Sequence, residues 1–392
     1  MNEIIDYIKS FLLYGDATAA AQVGYTADTA QWSRYRVVIM PCGHLGADLV
    51  MPDFAHPEVE RTGDTLVVHT DLIYNTFFFV SRAEELLTAD RDGHGRFTAR
   101  NSILGQNNRL LIPIVDEYAR FLMKLLELPL PDAGFSHIYL THDVDTIAHF
   151  RHFRGAVGGI LRGQCRQVRA AWRNLHNDPA YTFPWLINQD RLLPDATRIY
   201  FIKYTRGRAY DYPQYDLQGH DYHHVANLLR RSGARLGLHS SYYGDLPMPD
   251  MNKALAPAIP DWRYHRSHYL RCSIDQMQRL ADAGITDDFT MGFPDQVGFR
   301  LQTTRPVRFI NPKTMTLTPL TLHPLTVMDC TLSNENYMNI RHEDEAYFEC
   351  QRLFDKVRQN HGEIVLLWHN HIFTPDNYHR TLYPDLLSCL QS

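Results

Sequence analysis

Tyr139-Leu140-Thr141-His142-Asp143-Val144-Asp145 decides how this chain reads. An apolar run with the look of a strand ends there in one imidazole and two carboxylates. In α/β barrels the groups that do chemistry stand where strands hand over to loops, on the C-terminal face. Three later stretches share the form: Leu236-Gly237-Leu238-His239, Val327-Met328-Asp329 and Ile364-Val365-Leu366-Leu367-Trp368-His369. Each sets a His or Asp just after apolar residues, so one recurring geometry can gather them around one pocket.

Outward from that stretch the chain alternates. Strand-like runs at His137 to Leu140, Arg198 to Ile202, Arg235 to Leu238, Val307 to Ile310, Leu325 to Met328 and Glu363 to Trp368 are separated by segments long enough for helices, such as Asp221 to Gly233 and Glu343 to Gly362. Such alternation predicts a parallel sheet with helical crossovers, here a distorted (β/α) barrel. Before it lies a smaller α+β segment. Strands are predicted over Tyr35 to Met40 and Thr65 to His69, a helix opens at Ser81 with Glu84 three residues on, and Val115 to Leu128 is an amphipathic helix. The breaker Pro129-Leu130-Pro131-Asp132-Ala133-Gly134 divides the chain into a domain over 1–132 and a barrel over 136–392.

The 392 residues carry 39 basic and 44 acidic side chains, a formal charge of −5, which argues against a general nucleic-acid binder. Six cysteines form no C-x-x-C pair, as expected for reduced thiols, and the N-terminus does not read as a signal peptide. No stretch is apolar enough to span a bilayer, so a soluble cytoplasmic protein is expected. One stretch stands apart. Arg151 to Arg173 holds six arginines and no acidic residue, which reads first as a solvated face and otherwise as a surface for a phosphate-bearing or acidic substrate, or for a membrane.

His and Asp ligate zinc and similar ions, and a catalytic site takes about three protein ligands. Asp143, Asp145 and His239 are the nominees. A second carboxylate can take a proton from water and an imidazole can return one to a leaving group, roles that suit Asp143 and His369.

In order and spacing these motifs resemble the polysaccharide deacetylases, the NodB homology domain of carbohydrate esterase family four. Thr141-His142-Asp143-Val144-Asp145 is similar to that family's T-F-D-D-G, with the second Asp displaced to Asp145. The resemblance implies Asp143 as catalytic base and Asp145 on the metal. His239-Ser240-Ser241-Tyr242-Tyr243 resembles H-[ST]-x-x-H, with Tyr243 in place of the second His. Either Tyr243 lines the pocket, or another histidine completes the site, His268 as first choice and His142 as second. Gly298-Phe299-Arg300 resembles the motif whose Arg orients the base, and Leu367-Trp368-His369 resembles L-x-H, which implies His369 as general acid. Asp329 falls near a fourth motif but reads as a loop cap, and His371 as a residue of the rim.

The N-terminal segment, with Gly95-Arg96-Phe97 and Pro113-Ile114-Val115-Asp116-Glu117-Tyr118, resembles the domain that precedes an uncharacterised bacterial branch of that family. Tyr242, Tyr243 and Trp368 are candidates for stacking on a sugar, with Trp262, Tyr264 and Tyr269 behind them. The resemblance therefore implies a hydrolase that removes an N-acetyl or similar acyl group from an amino sugar or glycan precursor. Its cofactor would be a divalent ion, zinc first, with cobalt or nickel as alternatives. The alternative is a deacetylase-like protein without activity that binds glycans or acts as a scaffold. The oligomeric state is left open.

Overall fold

The computed structural model describes every residue except 55, 206, 214, 247–249 and 392. Over the described residues the strands form two sheets. The smaller joins β1 (Val23–Tyr25), β2 (Val37–Ile39), β3 (Val59–Thr62) and β4 (Thr65–Val68) in the order β1-β2-β4-β3. The larger has nine strands: β5 (His137–Val144), β6 (Thr197–Tyr204), β7 (Arg235–Ser240), β8 (Tyr264–Ser267), β9 (Asp287–Met291), β10 (Val307–Asn311), β11 (Thr316–Pro324), β12 (Val327–Met328) and β13 (Glu363–Leu367). Its order is β10-β11-β9-β8-β7-β6-β5-β13-β12, parallel throughout except for the β10–β11 hairpin.

This sheet curls. Leu325 N donates to Met291 O at 3.0 Å and Thr326 N to Val365 O at 3.0 Å, so the residues linking β11 to β12 bridge β9 to β13. Inside the curl Ile199, Phe201, Phe289, Val365 and Leu367 form an apolar plug, with Tyr139 and Tyr264 against it. Alternate residues of the same strands, such as Leu140, Tyr200, Leu238 and Leu366, face the outer layer and join a core that also takes in Phe77, Phe78 and Leu122 of the N-terminal segment. The period of two along each strand sets both layers. Gly237 on β7 lets the plug close: a Cβ there would stand 2.8 Å from the Phe201 ring and 2.9 Å from Tyr264 O.

Several sequence expectations shift. The amphipathic helix runs Ile114–Leu125. No helix opens at Ser81; that residue ends the helix Leu72–Val80, and Arg82 turns with φ 63° before the short helix Glu84–Leu87. The turn aims Arg82 at Glu85, with Nε–Oε1 and Nη2–Oε2 both 2.8 Å. Strands β8, β9 and β11 were not anticipated. They carry the buried Arg266 and His323 and the half-buried Asp287, which hide the apolar pattern of a buried strand.

Candidate active site

Parity along the parallel strands assembles the site. On β5, Thr141 and Asp143 face inward and Asp145 follows two residues on, while His142 faces out. Register sets Lys203 of β6 beside His239 of β7, and His239 beside Arg266 of β8. On β13 the inward series Val365, Leu367 continues to His369.

Asp145 Oδ1 lies 3.5 Å from His239 Nε2, 3.3 Å from His268 Nε2 and 3.9 Å from Lys203 Nζ. Its Oδ2 lies 3.7 Å from His369 Nε2. Burial opposes ionisation of Asp145, but the charge of His268, with His239 and Lys203, holds its pKa well below the usual carboxylate range. The ligating atoms of Asp145, His239 and His268 all lie within 4.8 Å of one another. His239 Nδ1 meets Arg266 O at 3.0 Å, and a carbonyl can only accept, so the lone pair of this imidazole sits on Nε2. His268 Nδ1 meets Asp211 Oδ1 at 3.0 Å, which leaves its Nε2 directed at Asp145. His239 Nε2 and Asp145 Oδ1 are buried with no hydrogen-bond partner among the described residues. Two imidazole nitrogens and a carboxylate oxygen, each backed by a further hydrogen bond or charge and left open on one side, fit a divalent cation.

Beside this triad stand the groups for proton transfer. Asp143 Oδ2 is 3.6 Å from His239 Nε2, and its Oδ1 accepts from Arg266 Nη1 at 3.0 Å. His369 Nδ1 lies 2.8 Å from Asp329 Oδ1, and its backbone N donates to Asp329 Oδ2 at 2.7 Å. Burial opposes protonation of His369, but the Asp329 carboxylate raises its pKa well above the ordinary value. Conversely, Asp329 is held far below the usual range against its burial, chiefly by His369.

A cavity of about 820 Å³ opens over these residues, lined by Asp143, Asp145, Lys203, His268 and His369 on its floor, by Tyr210, Tyr212, Tyr269 and Tyr337 on its walls, and by the exposed His371. The N-terminal segment reaches this cavity through Arg96, which donates to Tyr269 O at 3.1 Å and to Tyr337 Oη at 2.8 Å while paired with Asp92. Tyr269 and Leu270 follow His268 in the left-handed region, at φ 61° and 53°. Two such residues in sequence cost energy and persist only where the surroundings fix them, as Arg96 does here.

The structure thus brings together Asp143, Asp145, His239, His268 and His369. It places other sequence candidates elsewhere. Arg300 donates to Gly292 O at 3.0 Å and to Glu85 Oε1 at 2.7 Å, and the guanidinium on Asp143 is that of Arg266. His142 faces the outer layer, with Nδ1 2.9 Å from Trp368 O and Nε2 3.3 Å from Asp190. Trp368 is fully buried among Tyr383 and His379, because it occupies an outward position of its strand. Tyr242 is buried with its hydroxyl 3.3 Å from His94, and Arg208 covers the Tyr243 ring at 4.8 Å; neither lines the cavity. Trp262 is also buried, and Tyr264 packs against the plug inside the curl. Asp329 is no mere loop cap, since it grips His369 twice. Lys203 belongs to none of the quoted motifs, although it ends the run Ile199 to Ile202 just as His239 ends its own.

Residues 11–131 match the model of a family of unknown function (DUF7033). No curated protein matches the chain. Among solved structures it is similar to an inferred polysaccharide deacetylase from Mycobacterium smegmatis, at 14% identity and a TM-score of 0.44 over 67% of this chain and 86% of that one. Another is an inferred polysaccharide deacetylase involved in O-antigen biosynthesis from Bordetella bronchiseptica, at 14% identity and a TM-score of 0.31 over 66% and 81%. Overlaps this loose transfer neither residue nor activity to this chain.

Proposed function

We propose that the protein is a metal-dependent hydrolase that removes an acetyl or similar acyl group from the nitrogen of an amino sugar. One observation carries the reading. The buried, unpartnered Nε2 of His239 and Oδ1 of Asp145 converge with His268 at the floor of a cavity, between Asp143 and His369. Asp145, His239 and His268 would hold the ion. Bound there, a divalent ion, zinc by its preference for two nitrogens and one oxygen, supplies Lewis-acid activation of water and polarisation of an acyl carbonyl.

The chain's own groups do the rest. Asp143, anchored through Oδ1 by Arg266, offers Oδ2 to a water entering from the cavity and takes its proton. His369 is fixed through Nδ1 by Asp329, so Nε2 faces the cavity and delivers a proton to the departing nitrogen. Tyr210, Tyr212, Tyr269 and Tyr337 give a sugar-sized ligand aromatic walls with polar tips. The division into a domain over 1–132 and a barrel of polysaccharide deacetylase type over 136–392 belongs to the same proposal, the first part supplying Arg96 to the cavity.

Metal content by mass spectrometry tests it, on the wild type and on His239→Ala and His268→Ala, alongside release of acetate from N-acetylated amino sugars. About one divalent ion per chain, lost in both variants together with turnover, is expected. A chain that takes up no zinc, cobalt or nickel would overturn the reading in favour of glycan binding without catalysis.

A further inference from the structure

We propose that the helical hairpin over residues 153–173 docks on an anionic phospholipid bilayer and sets the mouth of the cavity against the membrane surface. The hairpin consists of helices Phe153–Leu161 and Cys165–Arg173. It is well built on its inner side. Val168 and Ala171 pack on Phe150, and Gly159 permits the contact, since a Cβ there would stand 2.6 Å from Val168 Cγ2 and 2.7 Å from the Phe150 ring. Trp172 Nε1 donates to Phe150 O at 2.8 Å, and Arg151 ties Ala171 O to Asp221 of the neighbouring helix His220–Arg231.

Among the described residues the other side has no partner in the fold. Phe153, Val157, Ile160 and Leu161 recur at i, i+4, i+7 and i+8 and share one helix face. Phe153 is 81% exposed, Leu161 82%, Ile160 51% and Trp172 54%. Isolated exposed apolar residues need no explanation, but a continuous face of this kind marks a docking site. Around it stand Arg154, Arg162, Arg166, Arg169 and Arg173, all exposed. Among the described residues no carboxylate pairs with any of these five, and residues 151–173 contain no Asp or Glu.

Large apolar side chains rimmed by guanidinium groups that no carboxylate neutralises, though Arg154 lies over the Tyr212 ring and Arg162 donates to Gln164, match the boundary of an anionic bilayer, where acyl chains take the apolar face and phosphates the arginines. Against a second copy of the chain the same patch would set arginine clusters against each other, because a two-fold interface pairs a surface with itself. Among the described residues no helix is long and apolar enough to cross a membrane, which leaves docking in the plane of the interface. Arg162 and Gln164, in and beside the turn of the hairpin, line the cavity with Phe150. Docking therefore brings the cavity to the lipid headgroups. If the hydrolysis proposed above holds, the amino sugar is carried on a lipid anchor; the docking itself does not rest on that reading.

Flotation of the full chain with phosphatidylcholine vesicles, with and without phosphatidylglycerol, tests the proposal. Binding to the anionic vesicles only, weakened by salt, is expected. F153S/L161S should weaken it at least about tenfold, and R166Q/R169Q about fivefold per arginine. Unchanged melting curves would show that these exposed substitutions leave the fold intact. Asp143→Asn should bind as the wild type does, so that failure of docking and failure of hydrolysis are distinguishable. No binding to phosphatidylglycerol vesicles at low salt would overturn the proposal, as would full binding by F153S/L161S. A mass by light scattering that falls to the monomer in F153S/L161S, without lipid binding by the wild type, would assign the face to a second copy.

Discussion

Arg266→Met removes the guanidinium that holds the candidate base, and the structure sets the size of the effect. The side chain is fully buried and lies 4.6 Å over the Phe201 ring. It donates from Nε to Phe289 O at 2.9 Å, and from Nη1 to Thr141 Oγ1 at 2.8 Å and to Asp143 Oδ1 at 3.0 Å. Met fills the stem but leaves three buried acceptors without this donor, one of them a carboxylate that is 3% exposed. Breaking a buried pair from one side costs about 3–5 kcal/mol, so the urea midpoint should fall accordingly. Turnover should fall by about a hundredfold or more even at full metal occupancy, because Asp143 loses the contact that fixes its rotamer. Arg300→Met is the control. Glu85 keeps its two-pronged pair with Arg82, so the loss should stay near 1–3 kcal/mol, with turnover per folded chain unchanged. Acetate release and urea titration on both variants decide the matter. If Arg266→Met kept turnover within about threefold of the wild type while Arg300→Met abolished it, the assignment of the base's partner would be refuted.

Asp329→Asn keeps the size of the group but not its charge; kcat should drop about 10²–10⁴-fold with KM little changed, in steady-state kinetics on metal-loaded protein. Arg96→Ala should loosen the Tyr269 turn and with it His268, weakening zinc affinity in a competition titration; affinity equal to the wild type would show that the N-terminal segment does not support the site. Far from the cavity, His323 sits between Glu363 Oε1 at 2.8 Å and Asp287 Oδ1 at 3.1 Å. Burial opposes its protonation, but Glu363 and Asp287 push its pKa up to about 9. Because the folded value exceeds the unfolded one, the stabilisation is complete below pH about 6.5 and is lost as pH rises through about 9, at most roughly 3 kcal/mol. His323→Gln should flatten that part of the stability curve in urea titrations, and an unchanged slope would show that His323 is not its source.

Much of this architecture was legible because apolar strands announce themselves. β5, β6 and β13 carry aliphatic or aromatic residues on both faces, as strands covered on both sides must, while β7 shows Leu236 and Leu238 on its outer face alone; the ends of all four lie within a few residues of those expected. β8 gave no such signal. Tyr264-His265-Arg266-Ser267 is polar along its length, yet His265, Arg266 and Ser267 are buried: His265 Nε2 meets Ser240 Oγ of β7, and Arg266 Nε and Ser267 N donate to Phe289 O and Thr290 Oγ1 of β9. A strand stabilised by buried polar pairs cannot be recognised from hydropathy, since the partners that make its burial tolerable lie far away in sequence. On β11 only Leu320-Thr321-Leu322 alternates; Pro319 sets Leu317 out of phase with it, so no period of two runs through the strand.

The same physics separates the site residues that sequence could nominate from those it could not. Asp143, Asp145, His239 and His369 end apolar runs, so their position at a strand mouth follows from local pattern alone. Arg266 and Asp329 act through other residues: Asp329 also ends an apolar run, but its role, like that of Arg266, shows only in a contact between strands. Arg300 was nominated by its place in the chain, yet its guanidinium meets the nearer Glu85 across the contact with the N-terminal segment. The candidate triad makes the point most clearly. Tyr243 stands where a second histidine one helical turn beyond His239 would be expected, while the nitrogen beside Asp145 Oδ1 comes from His268, beyond the next strand. A cation senses the positions of lone pairs and not the spacing of letters, so a ligand can migrate between neighbouring strand ends if its new backbone is held in place. Here that hold includes two left-handed residues and Arg96 from the N-terminal segment, which makes the segment preceding β5 part of the site it flanks.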